Sequence, residues 1–284
     1  MFGPNTHILS ELELNFSHRD EDFFTLYKEV QNLFKDIFKL HNYELIFING
    51  SGTVGVEAII KSINRPITMI GNDGKFKRRW DDIISQYDKD RTLTSIQMFS
   101  QLETSNSSIF SREDCIVDAI SSFPFYNLPN NTKAFITCPN KLIGSFPGLS
   151  IVGINKNDLN LIDNSTNFSY LNLNMYLEYS KNFQLPTTAP IQLFKHLKKV
   201  LTNFNLDKLR NKVTVNSIKL VNKIGEKNII GEKICPVITF RKDNIPLEIA
   251  KKYQLYGINS DTDNYQIFTY STDDKLFNTF INEI

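Results

Sequence analysis

The chain has 284 residues, of which 41% are hydrophobic and 22% are charged, and its formal net charge is +1. This composition is typical of a globular protein with one large domain and a smaller companion. The balanced charge excludes a strongly basic surface for nucleic acid or an anionic membrane, and no stretch approaches the ~18 apolar residues of a membrane span. The first twenty residues lack the pattern of a secretory signal, and the three cysteines lack a CxxC spacing. We therefore expect reduced thiols and a cytoplasmic location.

Short apolar runs alternate with helical patterns through the first two thirds of the chain. Such runs, rich in β-branched and aromatic residues, are typical of strands buried on both faces. Their alternation with helices predicts an α/β fold with a mostly parallel central sheet flanked by helices. The predicted elements, in chain order, are strand 44–49, helix 54–63, strand 67–71, helix 75–87, and strands 95–101, 115–119, 133–137 and 149–154.

The last third has a different pattern. It begins with helical segments at 191–205 and 206–224, followed by strands at 237–240 and 265–271 and helices that begin at Pro246 and Asp273. This order predicts a small α+β unit at the C-terminus. The predicted domains are therefore a large domain over 1–200 and a small domain over 201–284.

A glycine-rich turn from Gly50 to Thr53 joins a predicted strand to a predicted helix. Such a turn points backbone N–H groups and a helix N-terminus at one place, which favours a phosphate group. Ser51 and Thr53 add hydroxyl donors. The same residues are also typical of an ordinary helix N-cap, and the spacing is neither that of a Walker loop nor that of a dinucleotide-binding turn.

Lys141 lies on a turn between two apolar runs, and Asp118 lies at the end of another. A lysine and an aspartate on neighbouring strand ends are the pair that holds pyridoxal phosphate. The lysine forms a Schiff base with the aldehyde, and the carboxylate keeps the pyridine nitrogen protonated. Considered separately, Lys141 also fits a solvated surface lysine, and Asp118 fits a turn or helix-cap residue.

Other polar residues follow the predicted strands. Thr104 is placed to reach a ring hydroxyl, or it belongs to an ordinary polar loop, and Asn140 is a candidate phosphate donor. Thr187 and Thr188 precede a strong helical pattern, where either also fits an N-cap. The four histidines share no metal-ligand spacing, so no metal site is predicted. The absence of GxSxG and HExxH motifs excludes the usual serine hydrolases and zinc peptidases.

Read together, eight segments resemble the class V aminotransferases of the fold-type-I pyridoxal phosphate enzymes. Within this family the resemblance is closest to the 2-aminoethylphosphonate–pyruvate transaminases, and it runs from the N-terminus to about residue 200. The segments, in order, are FGPN, SHRDEDF, INGSGTVGVEA, GKFKRRW, QLETS, IVDAISS, CPNKLIGSFPGLSIV and LPTTAPI.

The resemblance implies a role for each candidate residue. Lys141 is the expected Schiff-base lysine and proton carrier, and Asp118 the expected partner of the pyridine nitrogen. Thr104 is expected beside the cofactor ring, and Thr188 in the phosphate cup of the neighbouring subunit, which implies a homodimer with shared active sites. The expected phosphate ligands are Ser51, Gly52, Thr53 and Asn140.

The implied activity is amino transfer from a small amino donor to a keto-acid or aldehyde acceptor, in phosphonate metabolism. Two features depart from the family. Residues 79–103 and 104–118 are compressed, as in a shortened form. Gln266 stands where the family has an arginine that grips the acidic group of the substrate, and an amide cannot form the bidentate charged pair. Arg19, Arg79 or Arg241 is a possible substitute.

Three hypotheses follow from these features. The first is a class V aminotransferase that keeps the phosphonate substrate, with Arg19 and Gln266 at the substrate. The second is a pyridoxal phosphate enzyme that acts on a non-acidic amine, and the third is a non-catalytic dimeric scaffold of the same fold. The N-terminal segment is expected to pack on the small domain or on the partner subunit.

Overall fold

The computed structural model describes residues 17–87, 89–90, 92–270 and 273–284, so the FGPN segment lies outside the described residues. The helices are α1 (Glu21–Phe38), α2 (Gly52–Ser62), α3 (Lys75–Ile84), α4 (Leu173–Ser180), α5 (Ile191–Thr202), α6 (Leu206–Ile224), α7 (Leu247–Lys252) and α8 (Asp274–Glu283). The strands are β1 (Tyr43–Asn49), β2 (Ile67–Met69), β3 (Ile96–Ser100), β4 (Leu102–Glu103), β5 (Ser108–Ile109), β6 (Ile116–Asp118), β7 (Ala134–Thr137), β8 (Leu149–Asn155), β9 (Ile229–Ile230), β10 (Val237–Arg241) and β11 (Asn264–Phe268).

Six strands form the central sheet in the order β1-β8-β7-β6-β3-β2. The pairs β2–β3, β3–β6 and β6–β7 are parallel, whereas β8 is antiparallel to both of its neighbours. Strand β8 is reversed because it follows β7 through a connection without a helix, which is too short for the crossover that parallel neighbours need. The prediction of a mostly parallel sheet flanked by helices is confirmed.

Helix α1 covers one face of the sheet together with α5. Its apolar residues recur at helical spacing, so they line one buried face. The ring of Phe194 on α5 lies 5.3 Å from that of Phe23, 5.6 Å from that of Tyr27 and 5.3 Å from that of Phe47 on β1. These edge and stacked contacts of buried rings fix both helices against the strand that leads into the Gly50–Thr53 turn.

The C-terminal part forms its own antiparallel sheet, β11-β10-β9, packed against α6, α7 and α8. A hydrophobic cluster here is separate from the larger one around the central sheet, which extends to Leu201. Leu102 and Leu142 belong to the smaller cluster although they come from the first half of the chain. The predicted boundary at residue 200 remains a proposal, which this division of the core favours.

The hairpin β4–β5 connects the two parts. The Ser107 hydroxyl donates to the Val237 carbonyl at 2.6 Å and lies 2.7 Å from the Thr239 hydroxyl. A side chain at Gly231 would collide with the Asn106 carbonyl, so the backbone of the second domain approaches the hairpin closely. The hairpin thereby carries the loop of Thr104 against the second sheet.

Candidate active site

Asp118 is the last residue of β6, and its carboxylate is buried. Its Oδ2 accepts hydrogen bonds from the Trp80 indole at 2.8 Å and the Ser100 hydroxyl at 3.0 Å, and its Oδ1 accepts one from the Ile120 amide at 3.1 Å. Burial raises the pKa of Asp118, and these hydrogen bonds and the charge of Lys141 oppose that rise. The carboxylate forms no ion pair with any described residue, and a buried carboxylate of this kind favours a cationic partner.

Lys141 lies in the turn between β7 and β8. The Gly144 amide donates to the Lys141 carbonyl at 3.1 Å, and the Ser145 amide donates to the Pro139 carbonyl at 2.8 Å, so the turn is closed twice. The Lys141 Nζ donates to the Ser121 hydroxyl at 3.2 Å. Because Ser121 follows Asp118 by three residues, this bond brings the lysine to the loop that leaves β6. The structure therefore places the two predicted residues at one edge of the sheet.

The N-terminus of α2 lies against the same loop. A Cβ at Gly52 would lie 2.6 Å from Ile120 Cδ1, so the helix start packs directly on the residue that follows Asp118 by two. Ser51 is exposed and Thr53 is half-buried. The Ser51 side chain makes no capping hydrogen bond, although it occupies the N-cap position. The ordinary N-cap interpretation requires the Ser51 hydroxyl to accept a hydrogen bond from the first turn of the helix. This bond is not formed, so the hydroxyl is available to another group.

The remaining predicted phosphate ligands lie nearby in the sequence or in space. Asn140 is half-buried and directly precedes Lys141 in the turn. The Asn49 amide donates to the Thr187 hydroxyl at 3.1 Å and to the Thr188 carbonyl at 2.6 Å, which leaves the Thr188 side chain exposed. The N-cap of α5 is Pro190. The alternative interpretation of either threonine as the helix cap is therefore wrong.

A cavity of about 500 Å³ opens beside Lys141, between the two parts of the molecule. Thr104, Gln266 and Arg79 line it together with Lys141, so four residues singled out in the sequence meet there. The full lining is Lys75, Phe76, Arg79, Thr104, Ser105, Lys141, Gln254, Tyr256, Gly257, Ser260, Thr262, Asn264, Gln266, Phe268 and Tyr270.

Gln266 does not present a free amide to this cavity. Its Nε2 donates to the Thr104 carbonyl, which also accepts from the Thr239 hydroxyl at 3.3 Å. The amide therefore ties β11 to the β4–β5 hairpin. Arg19 is exposed just before α1, and neither Arg19 nor Arg241 lines the cavity. The predicted role of Arg19 stays a prediction, whereas Arg79 is the one of the three arginines that faces this space.

Three residues of the site were missed by the sequence analysis. Trp80 was given no role of its own, yet its indole donates to Asp118. Glu103 was likewise given no role, yet its carboxylate accepts from the Phe76 amide at 2.9 Å and the Lys77 amide at 3.2 Å. Tyr270 lines the cavity with a buried hydroxyl that has no partner among the described residues. A signal existed for Trp80, because Phe76 and Trp80 are four residues apart and therefore lie on one apolar face of the predicted helix.

The described residues contain no group of three or more histidine, cysteine, aspartate or glutamate residues that could hold a metal ion. None of their helices is long and apolar enough to cross a membrane.

No family model matches this chain, and no curated protein matches it either. Solved structures do match. A phosphoserine aminotransferase from Cytophaga hutchinsonii superimposes with a TM-score of 0.80 at 16% identity, over 94% of this chain and 90% of that one. An aspartate aminotransferase of subgroup IV from Thermus thermophilus gives 0.78 at 16% identity, over 95% and 91% of the two chains. An alanine–glyoxylate aminotransferase from Nostoc sp. gives 0.78 at 18% identity, over 95% and 88%.

The protein therefore has the fold of these aminotransferases, and the predicted fold-type-I α/β architecture is confirmed. At these identities the likeness establishes the fold. What the chain does has to be argued from its own residues.

Proposed function

We propose that this chain is a pyridoxal phosphate-dependent aminotransferase of class V. The observation that carries the proposal is the meeting of three features at one edge of the sheet. These are the buried Asp118, the amine of Lys141 and the open N-terminus of α2 at Gly52. The fold shared with three aminotransferases supports the same assignment.

The residues present fit this cofactor. Asp118 accepts hydrogen bonds from neutral donors and forms no ion pair with a described residue, so a protonated pyridine nitrogen would supply the cation that a buried carboxylate favours. The first turn of α2, with Ser51 and Thr53 beside it, offers backbone N–H groups and hydroxyls to a phosphate. Asn140 would extend this donor set, and Thr104 would lie beside the ring.

Bound pyridoxal phosphate supplies an aldehyde that bonds amines and a ring that withdraws electrons from the attached carbon. The chain supplies the proton transfer. Lys141 Nζ would hold the group through its aldehyde, and after its displacement by the donor amine it would carry the proton of the reacting carbon. Ser121 holds Nζ through its hydroxyl, and Trp80 and Ser100 hold the Asp118 carboxylate in a fixed direction. In this proposal Lys141 moves the proton, and Asp118 supplies a negative charge in a fixed position.

We further propose a homodimer in which Thr188 reaches the phosphate of the partner's site. Thr188 is exposed, and its backbone carbonyl, not its side chain, accepts the hydrogen bond from the Asn49 amide at 2.6 Å. The shortened form, the cytoplasmic location and the role in phosphonate metabolism remain proposals from the sequence.

The proposed substrates are a small amino donor and a keto-acid or aldehyde acceptor, with 2-aminoethylphosphonate and pyruvate as the pair that the sequence resemblance favours. A non-acidic amine is the second candidate. The observation in its favour is the committed amide of Gln266, which leaves no charged group at the position of the family arginine.

The test is a half-reaction of the loaded protein. Purified protein with bound pyridoxal phosphate is mixed with 2-aminoethylphosphonate, alanine or an uncharged amine, and the cofactor absorbance is followed. The expected result is loss of the original band with at least one donor, whereas Lys141→Ala protein should lack that band from the start. A protein that never acquires the band would support the scaffold hypothesis and contradict the proposal.

The shared site is tested by complementation. Thr188→Glu is expected to repel the partner's phosphate, and Lys141→Ala removes the reacting amine. Mixed dimers of these two inactive variants contain one site with Lys141 from one subunit and Thr188 from the other. Recovery of activity on mixing supports the shared site, and full activity of Thr188→Glu alone contradicts it.

A further inference from the structure

We infer that Arg79, with Lys75 beside it, binds the acidic group of the amino donor in place of the arginine missing at position 266. The inference rests on the proposed function and deepens it. It assigns the substrate to amines that carry a phosphonate, phosphate or carboxylate group, and it moves the specificity determinant from the second domain to α3.

The first support is the position of α3 along the cavity. Lys75 and Arg79 both line it, and their spacing of four residues places them on one face of the helix. The Arg79 guanidinium lies 5.4 Å from the centre of the Phe76 ring, which supports its face without consuming its hydrogen-bond donors. Neither side chain forms an ion pair within the described part of the chain.

The second support is the charge of the cavity. Its lining contains three cationic residues, Lys75, Arg79 and Lys141, and no aspartate or glutamate. A cleft lined by one sign of charge concentrates the opposite charge. The cofactor phosphate is assigned to the α2 N-terminus, whose residues do not line this cavity. The unpaired charges of α3 are therefore available for the substrate.

The third support is that α3 is fixed at both ends of its buried face. Glu103 accepts the amides of Phe76 and Lys77 at 2.9 and 3.2 Å, and Gly74 has no room for a side chain because the Glu103 side chain fills that space. Further along the helix, the Trp80 indole donates to Asp118. Trp80 directly follows Arg79 in the sequence. Adjacent residues of one helix therefore hold the proposed anion site and the Asp118 carboxylate.

The fourth support is Tyr270. Its side chain is buried, it lines the cavity, and its hydroxyl has no partner among the described residues. Burial also raises its pKa, so the hydroxyl stays a donor. A buried donor without a partner costs free energy, and a bound oxyanion would supply the missing acceptor. The committed amide of Gln266 cannot supply a charged donor.

The test compares two amines of the same shape. 2-Aminoethylphosphonate carries the acidic group, and 3,3-dimethylbutylamine replaces the phosphonate by an uncharged tert-butyl group. Each is titrated into the protein loaded with pyridoxal phosphate, and the change in cofactor absorbance gives an apparent Kd. The proteins are the parent chain, Arg79→Gln, Lys75→Gln and the control Arg78→Gln, whose residue lies on the same helix outside the cavity lining.

Arg79→Gln is expected to weaken binding of the phosphonate about ten- to a hundredfold, as for loss of a charge-assisted pair. Lys75→Gln should weaken it less, because a lysine offers a single point charge. Both variants should bind the uncharged amine like the parent chain, and Arg78→Gln should leave both amines unchanged. Unaltered melting temperatures confirm that the exposed substitutions leave the fold intact.

Equal binding of the phosphonate by Arg79→Gln and the parent chain overturns the inference. A larger loss in Arg78→Gln than in Arg79→Gln also overturns it. Failure of the proposed function is recognised separately, because in that case the parent chain acquires no cofactor band and responds to neither amine. A parent chain that prefers the uncharged amine contradicts the inference while the proposed function stands.

Discussion

The two ends of the candidate site differ in how their polar groups are held. At the cofactor end, Asp118 is buried and bonded to three donors, and it ends a strand of the central sheet. At the proposed substrate end, Lys75 and Arg79 are exposed on a helix, and the opposite wall comes from loops and strand β11 of the second domain. At the cofactor end the buried carboxylate has its hydrogen-bond partners, whereas at the substrate end the cations form no ion pair with a described residue.

This difference teaches which part of the site tolerates change. A buried carboxylate with several hydrogen bonds needs every neighbour, because removing one leaves a buried group unsatisfied. Exposed cations on a helix can be moved or exchanged at little cost in stability. If Arg79 binds the acidic group as proposed, the substrate end is where Gln266 can stand in the place of the family arginine.

The largest expected effect is at the cofactor end. Asp118→Asn removes the carboxylate proposed to pair with the pyridine nitrogen and should lower turnover about a hundredfold to a thousandfold, the range for loss of one preorganised electrostatic contact. Stopped-flow half-reactions measure it. The matched control is Asp114→Asn, an exposed residue before the opposite end of β6 whose φ of 57° suits asparagine. A loss in Asp114→Asn as large as that in Asp118→Asn would contradict the assignment.

The second largest effect is expected at the contact between Gly74 and the Glu103 side chain, which positions α3. Gly74→Ala forces a methyl group into the space of the Glu103 side chain, so it should lower the free energy of unfolding by about 1–3 kcal/mol, as overpacking does. It should also weaken donor binding, because α3 is displaced. Denaturant titration measures the stability. Asp82→Ala, on the exposed face of the same helix, should change it by at most about 0.5 kcal/mol. Equal stabilities of the two variants would show that the contact is unimportant.

The buried carboxylate should also leave a pH signature in the cofactor-free protein. Burial raises the pKa of Asp118, so the folded chain binds this proton more tightly than the unfolded chain does. The ordinary pKa of aspartate, which applies to the unfolded chain, is about 4. The free energy of unfolding of the parent chain, relative to that of Asp118→Asn, is then greatest below this pH and falls as the pH rises through the folded-state pKa. Unfolding free energies of both proteins between about pH 4 and pH 8 test this. A difference that grows with pH would mean that the carboxylate is stabilised in its charged form.

The smallest expected effect is the dependence of amine binding on ionic strength. Exposed charges are screened by salt, whereas buried pairs are screened much less. Raising the salt concentration from about 0.01 to 0.15 M should weaken 2-aminoethylphosphonate binding by less than about tenfold and leave binding of 3,3-dimethylbutylamine unchanged. The two apparent Kd values, measured side by side, provide the comparison. Parallel loss of both amines would indicate an effect of salt on the protein as a whole.

The proximity of Asp118 and Lys141 could be predicted from the sequence, because both residues follow strands with clear apolar patterns. The carboxyl ends of β6 and β7 meet at one sheet edge, so Asp118 and Lys141 had to lie close together once the strands were assigned. The helices that begin near Pro246 and Asp273 were also predicted, since proline and aspartate mark helix starts.

The substrate end could not be predicted in the same way. Arg79 lines the cavity because of the orientation of α3 about its own axis. Gln266 donates to the Thr104 carbonyl because the second domain packs against the β4–β5 hairpin. Neither contact has a local sequence pattern, because each depends on residues far apart in the chain. The reversed direction of β8 was likewise missed, since apolar runs do not encode strand direction.

The central claim is that Lys141 is the residue that bonds the cofactor. Protein loaded with pyridoxal phosphate is treated with borohydride, which makes the bond permanent, and the digested peptides are then mapped by mass spectrometry. We expect the added mass on Lys141 alone, and none in Lys141→Ala protein. Modification of another lysine in place of Lys141, with the cofactor band intact in Lys141→Ala, would contradict the account.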